Sequence, residues 1–353
     1  MNHERTLDAF CHKTPDRTPM FEYCLNSKEI TGMVLKRPCA YLHWNECVQE
    51  MGWEKAVRQN AVDQLDIAEY FGHDLMYVVT NSPPPVNVVP SAPTTPEIEI
   101  DDPVANVAAK NELKRQFPGK IDPSRFLIYE LLRDEMARRK NRIPILVPAW
   151  RHGVWTDVDL MQTMLLAPEV AHEHFAFATE NVARLIDKYL ELGIEVIGIG
   201  GDFAGNAPLI SPECYREFIV PELRKLSDQI HRGGAYTVNA SDGNLWCVID
   251  DFLIASGVDG YLEIDLFAGM DLKKLKESYG DRITFIGNMD CGNTLSFASP
   301  EKIRTATVDC IEAGLGNGGH IFTASNAITA SVSTENYFAM INAFRDYWKL
   351  PAL

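Results

Sequence analysis

Carboxylates stand just past four consecutive apolar runs of the chain: Asp202, Asp242, the pair Glu263 and Asp265, and Asp290. Runs of that length and composition make buried strands, so these acids fall at strand ends. If several converge, like-charge repulsion raises at least one pKa and leaves a proton donor at neutral pH. The same set could instead hold a cation. The competing use is helix capping, above all for Asp242 and Asp290, because each precedes a helical pattern. Asp202, Asp242 and Asp265 are the candidate catalytic acids.

The other strand ends supply polar and aromatic groups. Glu22 and Tyr23 follow the first run, and Trp150, Arg151 and His152 the third. Phe203 follows Asp202, Asn239 and Asn244 flank Asp242, Asn288 precedes Asp290, and Ser325 with Asn326 follows the last run. Together with Glu263 and Asp290 these are the candidate substrate-binding residues. Tyr23, Trp150, Trp155, Phe203, Trp246 and Phe267 would suit a flat or apolar ligand. Zinc prefers His and Cys ligands close in sequence. No His-x-Cys, Cys-x-x-Cys or His-x-x-x-His stands near a strand end, so no residue is assigned as a metal ligand. Cys247 could approach Asp242 or pack in the core. Gly-x-Ser-x-Gly and Walker-type phosphate loops are absent.

These residues need a frame that brings strand ends together. Eight apolar runs cover residues 19–22, 74–79, 143–147, 194–200, 235–238, 258–264, 283–287 and 321–323. Most lead into helical patterns with start signals. Ser211-Pro212-Glu213 and Ser299-Pro300-Glu301 place a hydroxyl cap, a first-position proline and an acid at the positive helix end. Asp122-Pro123 opens another helix, and Ser333 opens the last. Alternating strand and helix imply a parallel sheet, and eight units an α/β fold of the (β/α)8 TIM-barrel kind, with its chemistry at the C-terminal strand ends. The glycines from 198 to 201 open no helix, which argues against a dinucleotide fold. The 353 residues read as one barrel domain with a Pro-rich excursion at about 82–121, serving as a lid or wall, a surface ornament or a dimer contact.

Composition removes other classes. The 33 basic against 49 acidic residues give a net charge of −16. A nucleic-acid binder needs a basic face, and so does a protein that sits on an anionic membrane. No apolar run approaches the roughly 18 residues of a membrane span. Residues 1–19 lack the apolar core of a signal peptide. The eight scattered cysteines then read as reduced thiols in a cytoplasm.

Several stretches, in order, resemble the uroporphyrinogen decarboxylase superfamily. They are the Pro15-Asp16-Arg17-Thr18-Pro19 start, the stretch from Asp202 to Glu213, Ser241-Asp242-Gly243-Asn244, Ala268-Gly269-Met270-Asp271, Gly287-Asn288-Met289-Asp290, Gly318-Gly319 and Glu335-Asn336. The resemblance implies a (β/α)8 barrel. The heme-pathway decarboxylase of that superfamily grips substrate carboxylates with Arg-x-x-Gly-Arg after its first strand. Here that region reads Phe21-Glu22-Tyr23-Cys24-Leu25-Asn26, and an acidic pocket repels a polycarboxylate. Zinc-dependent methyltransferases of the superfamily carry His-x-Cys on the fifth-strand loop and a Cys near the eighth strand. Ala240 and Asp242 stand in the first two places and Ser325 or Asn326 near the third, so the usual zinc ligand set is absent. The Ser-Asp-Gly-Asn loop and residues 322–328 are similar to the methoxyaromatic-demethylase kind.

The resemblance therefore implies a cobalamin-dependent methyltransferase, or O-demethylase. It would move a methyl group between a small, methoxyaromatic or ether-type substrate and the corrinoid of a separate partner protein. Heterolysis of a methyl–oxygen bond needs a proton or a Lewis acid on the leaving oxygen, and the strand-end carboxyls are the source at hand. A carboxy-lyase acting on a small ring acid is the alternative, with Arg151 and His152 as the carboxylate anchor. A non-catalytic binding barrel is the third reading, which Ala240 keeps open. Barrels of this superfamily often pair, so a homodimer is an expected assembly.

Overall fold

The computed structural model describes residues 2–85 and 102–353. Seven parallel strands lie side by side in sequence order: β1 Met76–Tyr77, β2 Ile145–Pro148, β3 Val196–Gly200, β4 Tyr236–Ala240, β5 Gly260–Leu262, β6 Thr284–Ile286 and β7 His320–Ile321. Each matches an expected run. The first expected run is not a full strand. Met20 makes a single parallel bridge to Phe322, and its carbonyl accepts the Asp74 N–H at 2.7 Å. The segment thus bonds to the chain beside β7 and to the chain beside β1. The result is a curled, TIM-barrel-like α/β sheet with helices outside it.

Period-2 alternation sorts the side chains. Leu146, Val196, Val238, Leu262, Ile286 and Ile321 point to one face and form an inner cluster with Phe21. Ala9 and Phe10, from the helix Asn2–Phe10, join that cluster, and Phe10 stacks on Tyr236 with ring centroids 4.7 Å apart. Ile145, Val147, Ile197, Ile199 and Phe285 point the other way and pack into the larger cluster shared with the helices. The inner cluster rises to Ala240, Tyr23, Tyr77 and Trp150, which form the floor of the site.

The expected helix starts are present. Ser211, Ser299 and Ser333 accept from the N–H groups of Cys214, Lys302 and Asn336, three residues on. Asp122 accepts from Ser124 N and opens the turn Pro123–Phe126, which leads into the helix Leu127–Arg138. The Pro-rich excursion needs correction. Pro90, Pro93 and Pro96 lie outside the described residues, but Pro103–Gln116 is a helix rather than extended chain. Asp102 caps it, accepting from Val104 N and Ala105 N at 3.0 and 3.1 Å. It packs on the helices Val158–Leu166 and Pro168–Glu191. Its apolar stripe is weak, with Val107 and Asn111 the buried positions, so periodicity did not reveal it. Among the described residues no helix is long and apolar enough to cross a membrane, and all eight cysteines are free.

The Pro-Asp-Arg start of the chain acts as a clasp. Asp74, with no exposed side-chain surface, pairs with Arg5 and with Arg17, the latter at 2.7 Å. Its other oxygen role is to accept the Met20 N–H at 2.9 Å. Arg5 also holds Asp16 at 2.6 Å. The clasp fixes residues 19–22 against β1 and so sets where Glu22 and Tyr23 point.

Candidate active site

Three carboxyl groups from three successive strand ends meet. Ligand-capable oxygens of Asp202 after β3, Asp242 after β4 and Glu263 after β5 all lie within 4.8 Å of one another. Asp202 and Glu263 line a cavity of about 370 Å³ with Tyr23, Trp150, Trp155 and Ala240. Asp242 donates its backbone N–H to Asp202 Oδ1 at 3.2 Å. Its own carboxylate accepts twice from Asn326 Nδ2, at 3.0 and 3.2 Å.

Backbone geometry aims Glu263. Leu262 points inward, so simple alternation would send Glu263 out to the helices. Instead Glu263 has φ +93° and Ile264 φ +57°, a left-handed pair that turns the Glu263 side chain into the cavity. A non-glycine residue held there is strained, which is common where function demands a direction. Glu263 is 6% exposed, and its Oε2 has no partner among the described residues.

The three groups cannot all be charged. Burial, then the neighbouring acids, holds the Glu263 carboxyl well above the usual range. Burial first, and the Asp202 charge second, push Asp242 up to about 6, against the Asn326 hydrogen bonds. Burial also raises Asp202. The trio titrates as a unit and keeps at least one proton near neutral pH. Glu263 holds it most tightly, and Asp242 exchanges it in the working range.

Gly243 shapes this loop. Its φ is +92°, and a Cβ there would come 1.9 Å from the Gly205 carbonyl oxygen. The Gly243→Ala variant should lower thermal stability and displace Asp242, which a melting curve and a crystal structure would show together.

A family model for uroporphyrinogen decarboxylase matches residues 156–347, more than half of the chain. The chain belongs to the uroporphyrinogen decarboxylase family. It is 24% identical over 272 residues to a uroporphyrinogen decarboxylase of Coxiella burnetii, covering 72% of this chain and 71% of that protein. Against the Cellvibrio japonicus uroporphyrinogen decarboxylase it is 30% identical over 185 residues, 51% of this chain and 49% of the other. A solved methyltransferase from Methanosarcina mazei shares the fold, with a TM-score of 0.69 at 20% identity, covering 98% and 99% of the two chains.

Within this uroporphyrinogen decarboxylase-family site, several expected residues serve structure instead. Asn239 is on β4 with outward parity, and its amide donates to the Phe252 carbonyl at 3.2 Å. His152 is fully buried, bonded to Thr179 Oγ1 at 2.9 Å and stacked on Phe175. Burial lowers its pKa to about 4, so it cannot anchor a carboxylate as a cation. Phe203 lies in the core against Tyr215, with centroids 4.4 Å apart. Asp290 is a helix cap, accepting from the N–H groups of Gly292, Asn293 and Thr294. Asp265 accepts from Ala268 N at 3.0 Å, closing a turn behind the trio. Asn244 donates to the Ala268 carbonyl and Asn288 to the Ile264 carbonyl. Ser325 accepts from Cys291 N. Cys247 is exposed, because Leu245 and Val248 on either side take the inward positions.

The aromatic set divides. Tyr23, Trp150 and Trp155 line the cavity. Trp246 instead donates to the Gly269 carbonyl under Lys274, and Phe267 is 74% exposed. Trp150 is held flat over Gly198, where a Cβ would come 2.0 Å from the ring, and its Nε1–H points to the Tyr77 hydroxyl at 3.3 Å.

Glu22 faces a second cavity, of about 320 Å³, behind the Tyr23–Tyr77 pair. Burial pushes its carboxyl up to about 8. Its Oε1 accepts from Tyr23 N and Thr323 Oγ1. The raised pKa means this side chain favours the fold fully below about pH 4.5, and the contribution fades as pH rises through 8. The Glu22→Gln variant should therefore melt a few degrees above the wild type at pH 8.5 and no higher at pH 4, measured by circular dichroism. Asn60, Gln64 and His73 also line this cavity. Asn60 and Gln64 come from the helix Trp53–Phe71 and His73 from just beyond it, so a reading of strand ends missed all three.

Zinc of the thiolate–imidazole kind does not fit this site. The trio offers three carboxylates, and the neighbouring Ala240 offers no ligand atom. Oxygen donors of that sort suit a hard cation or a shared proton.

Proposed function

We propose that the chain is a methyltransferase that takes a methyl group from a small methoxyaromatic or ether substrate, on a barrel that closes through residues 19–22. The observation that carries the reading is the proton-sharing trio of Asp202, Asp242 and Glu263 beside an aromatic wall. The methyl–oxygen bond breaks, the methyl group leaves to an external acceptor, and the leaving oxygen takes the proton held at Asp242. Asn326 holds that carboxyl in place, and Asp202 and Glu263 keep the proton available near neutral pH. Trp150 and Tyr23 orient a flat substrate.

The acceptor is the corrinoid of a separate protein, which supplies a strongly nucleophilic cobalt. The chain's loops fit a partner that covers the mouth. Trp155, Leu209, Leu266 and Phe267 are all substantially exposed on loops that leave the strand ends. Large apolar side chains grouped at one rim mark a contact surface.

The family relatives favour a second reading, a carboxy-lyase acting on a ring acid. One assay separates the two. The protein is incubated with 3-methoxybenzoate carrying a 13C-methyl group and with cob(I)alamin, and products are read by mass spectrometry. Labelled methylcobalamin and 3-hydroxybenzoate are expected. Carbon dioxide release without methyl transfer would establish the lyase instead.

A further inference from the structure

A third cavity, a cleft of about 530 Å³, shares Trp150 and Arg151 with the cavity of the acid trio, and its charged lining is mainly cationic. Lys120, Arg125, Arg151 and Arg184 line it. Among the described residues none of the four has a carboxylate within ion-pair distance, in a chain whose net charge is −16. Asp122, which accepts from Ser124 N at 2.9 Å and from Ser124 Oγ at 2.7 Å, is the one carboxylate among the described lining residues, so the cations stay in excess. Each guanidinium spends little of its capacity on the protein. Arg125 donates to Thr80 Oγ1 at 3.3 Å, and Arg151 to the Trp150 carbonyl at 3.2 Å. Arg184 donates to the Gly119 carbonyl at 3.3 Å and to Asn181 Oδ1. A guanidinium has five N–H donors, so most stay open. Arg125 and Arg151 line the cleft together with the buried Tyr189.

Among the described lining residues four cations face one carboxylate, and a bound oxyanion relieves the repulsion that remains. Trp150 and Arg151 line both this cleft and the cavity of the trio. The two spaces therefore meet at one flat, pinned ring, with Asp202 and Glu263 in one, Lys120, Arg125 and Arg184 in the other, and Arg151 lining both. A molecule lying along Trp150 meets opposite potentials at its two ends, which fixes its direction.

We propose that this cleft binds the carboxylate or phosphate of an anionic ring substrate whose uncharged, methyl-bearing end reaches Asp242. The direction of binding rests on the trio being the reacting end, as set out above; the anion site itself does not.

Isothermal titration of the full chain tests it with three probes: 3-methoxybenzoate, 3-methoxyphenyl phosphate and the neutral 3-methoxybenzyl alcohol. The anions should bind at least about tenfold more tightly than the alcohol, and only their affinity should fall as NaCl rises from about 50 to about 500 mM. Whichever anion binds tighter identifies the group as carboxylic acid or phosphate ester. Arg125→Gln and Arg184→Gln should each weaken the anions about ten- to a hundredfold and leave the alcohol unchanged. Equal binding of alcohol and anions, or salt-independent anion binding by the wild type, would overturn the proposal without any variant. Selective anion binding with no methyl transfer would leave the anion site standing and remove the methyltransferase reading.

Discussion

The Asp242→Asn variant should lose methyl transfer by about a hundred- to ten-thousandfold, the range that a positioned general acid supplies. Asn keeps the size of the side chain and can still bond Asn326, so only the proton is removed. Asp242 sits at about 6, raised by burial and by Asp202. The wild-type rate should therefore fall about tenfold per unit as pH climbs above 6, and the variant's residual rate should lack that limb. The fold should not suffer. A carboxyl raised in the folded state favours folding below its ordinary pKa and loses that contribution as pH rises through the folded value. Asp242→Asn should thus melt no lower than the wild type at pH 8. A large loss of activity with an unchanged or higher melting point separates lost chemistry from lost structure. A variant retaining more than about a tenth of the rate would remove Asp242 from the proton-donor role.

Asp74→Ala should cost about 3–5 kcal/mol of folding free energy, read from urea unfolding with the slope held constant. The Asp74 side chain has no exposed surface and faces Arg5 and Arg17, each 11% exposed. Removing it leaves two partly buried cations facing a hole and the Met20 N–H without its acceptor. Asp74→Asn should cost less, because the amide oxygen still accepts from Met20. The loss should reach the site as well. Residues 19–22 hold to β1 through this clasp, and Glu22 with Tyr23 follows directly. A change under about 0.5 kcal/mol would mean that the Arg5–Asp16 pair and the bridge to Phe322 hold the segment alone.

Much of the frame was readable because parallel strands buried on both faces leave short apolar runs, and serine or aspartate before proline marks a helix start. Asp202 and Asp242 were readable for the same reason, as acids placed where strands end. The residues that the structure engages in caps, turns and the core depend on detail finer than strand-end position. β4 runs on to Ala240, past the expected end at 238, so Asn239 lies within the strand and period 2 sends it outward. Asp290, Asp265 and Asn244 went to caps and turns, which compete for the same short polar side chains at the same positions. Strand-end position favours Asp265 over Glu263 as a catalytic acid, because the left-handed backbone that turns Glu263 inward is set by packing and leaves no mark in the sequence. Arg125 and Arg184 stayed hidden because they sit on outer elements, which meet Trp150 only when the sheet curls. The helix Pro103–Gln116 escaped because so few of its positions are buried.

The trio's shared proton is tested most directly by titrating aspartate side-chain carboxyl carbons by 13C NMR in the wild type and in Asp242→Asn. One carboxyl in the wild type should titrate with a midpoint near 6, and that signal should vanish in the variant. If every aspartate titrates at or below about 4, as an unperturbed one does, then Asp242 has already lost its proton well below pH 6 and is not the donor.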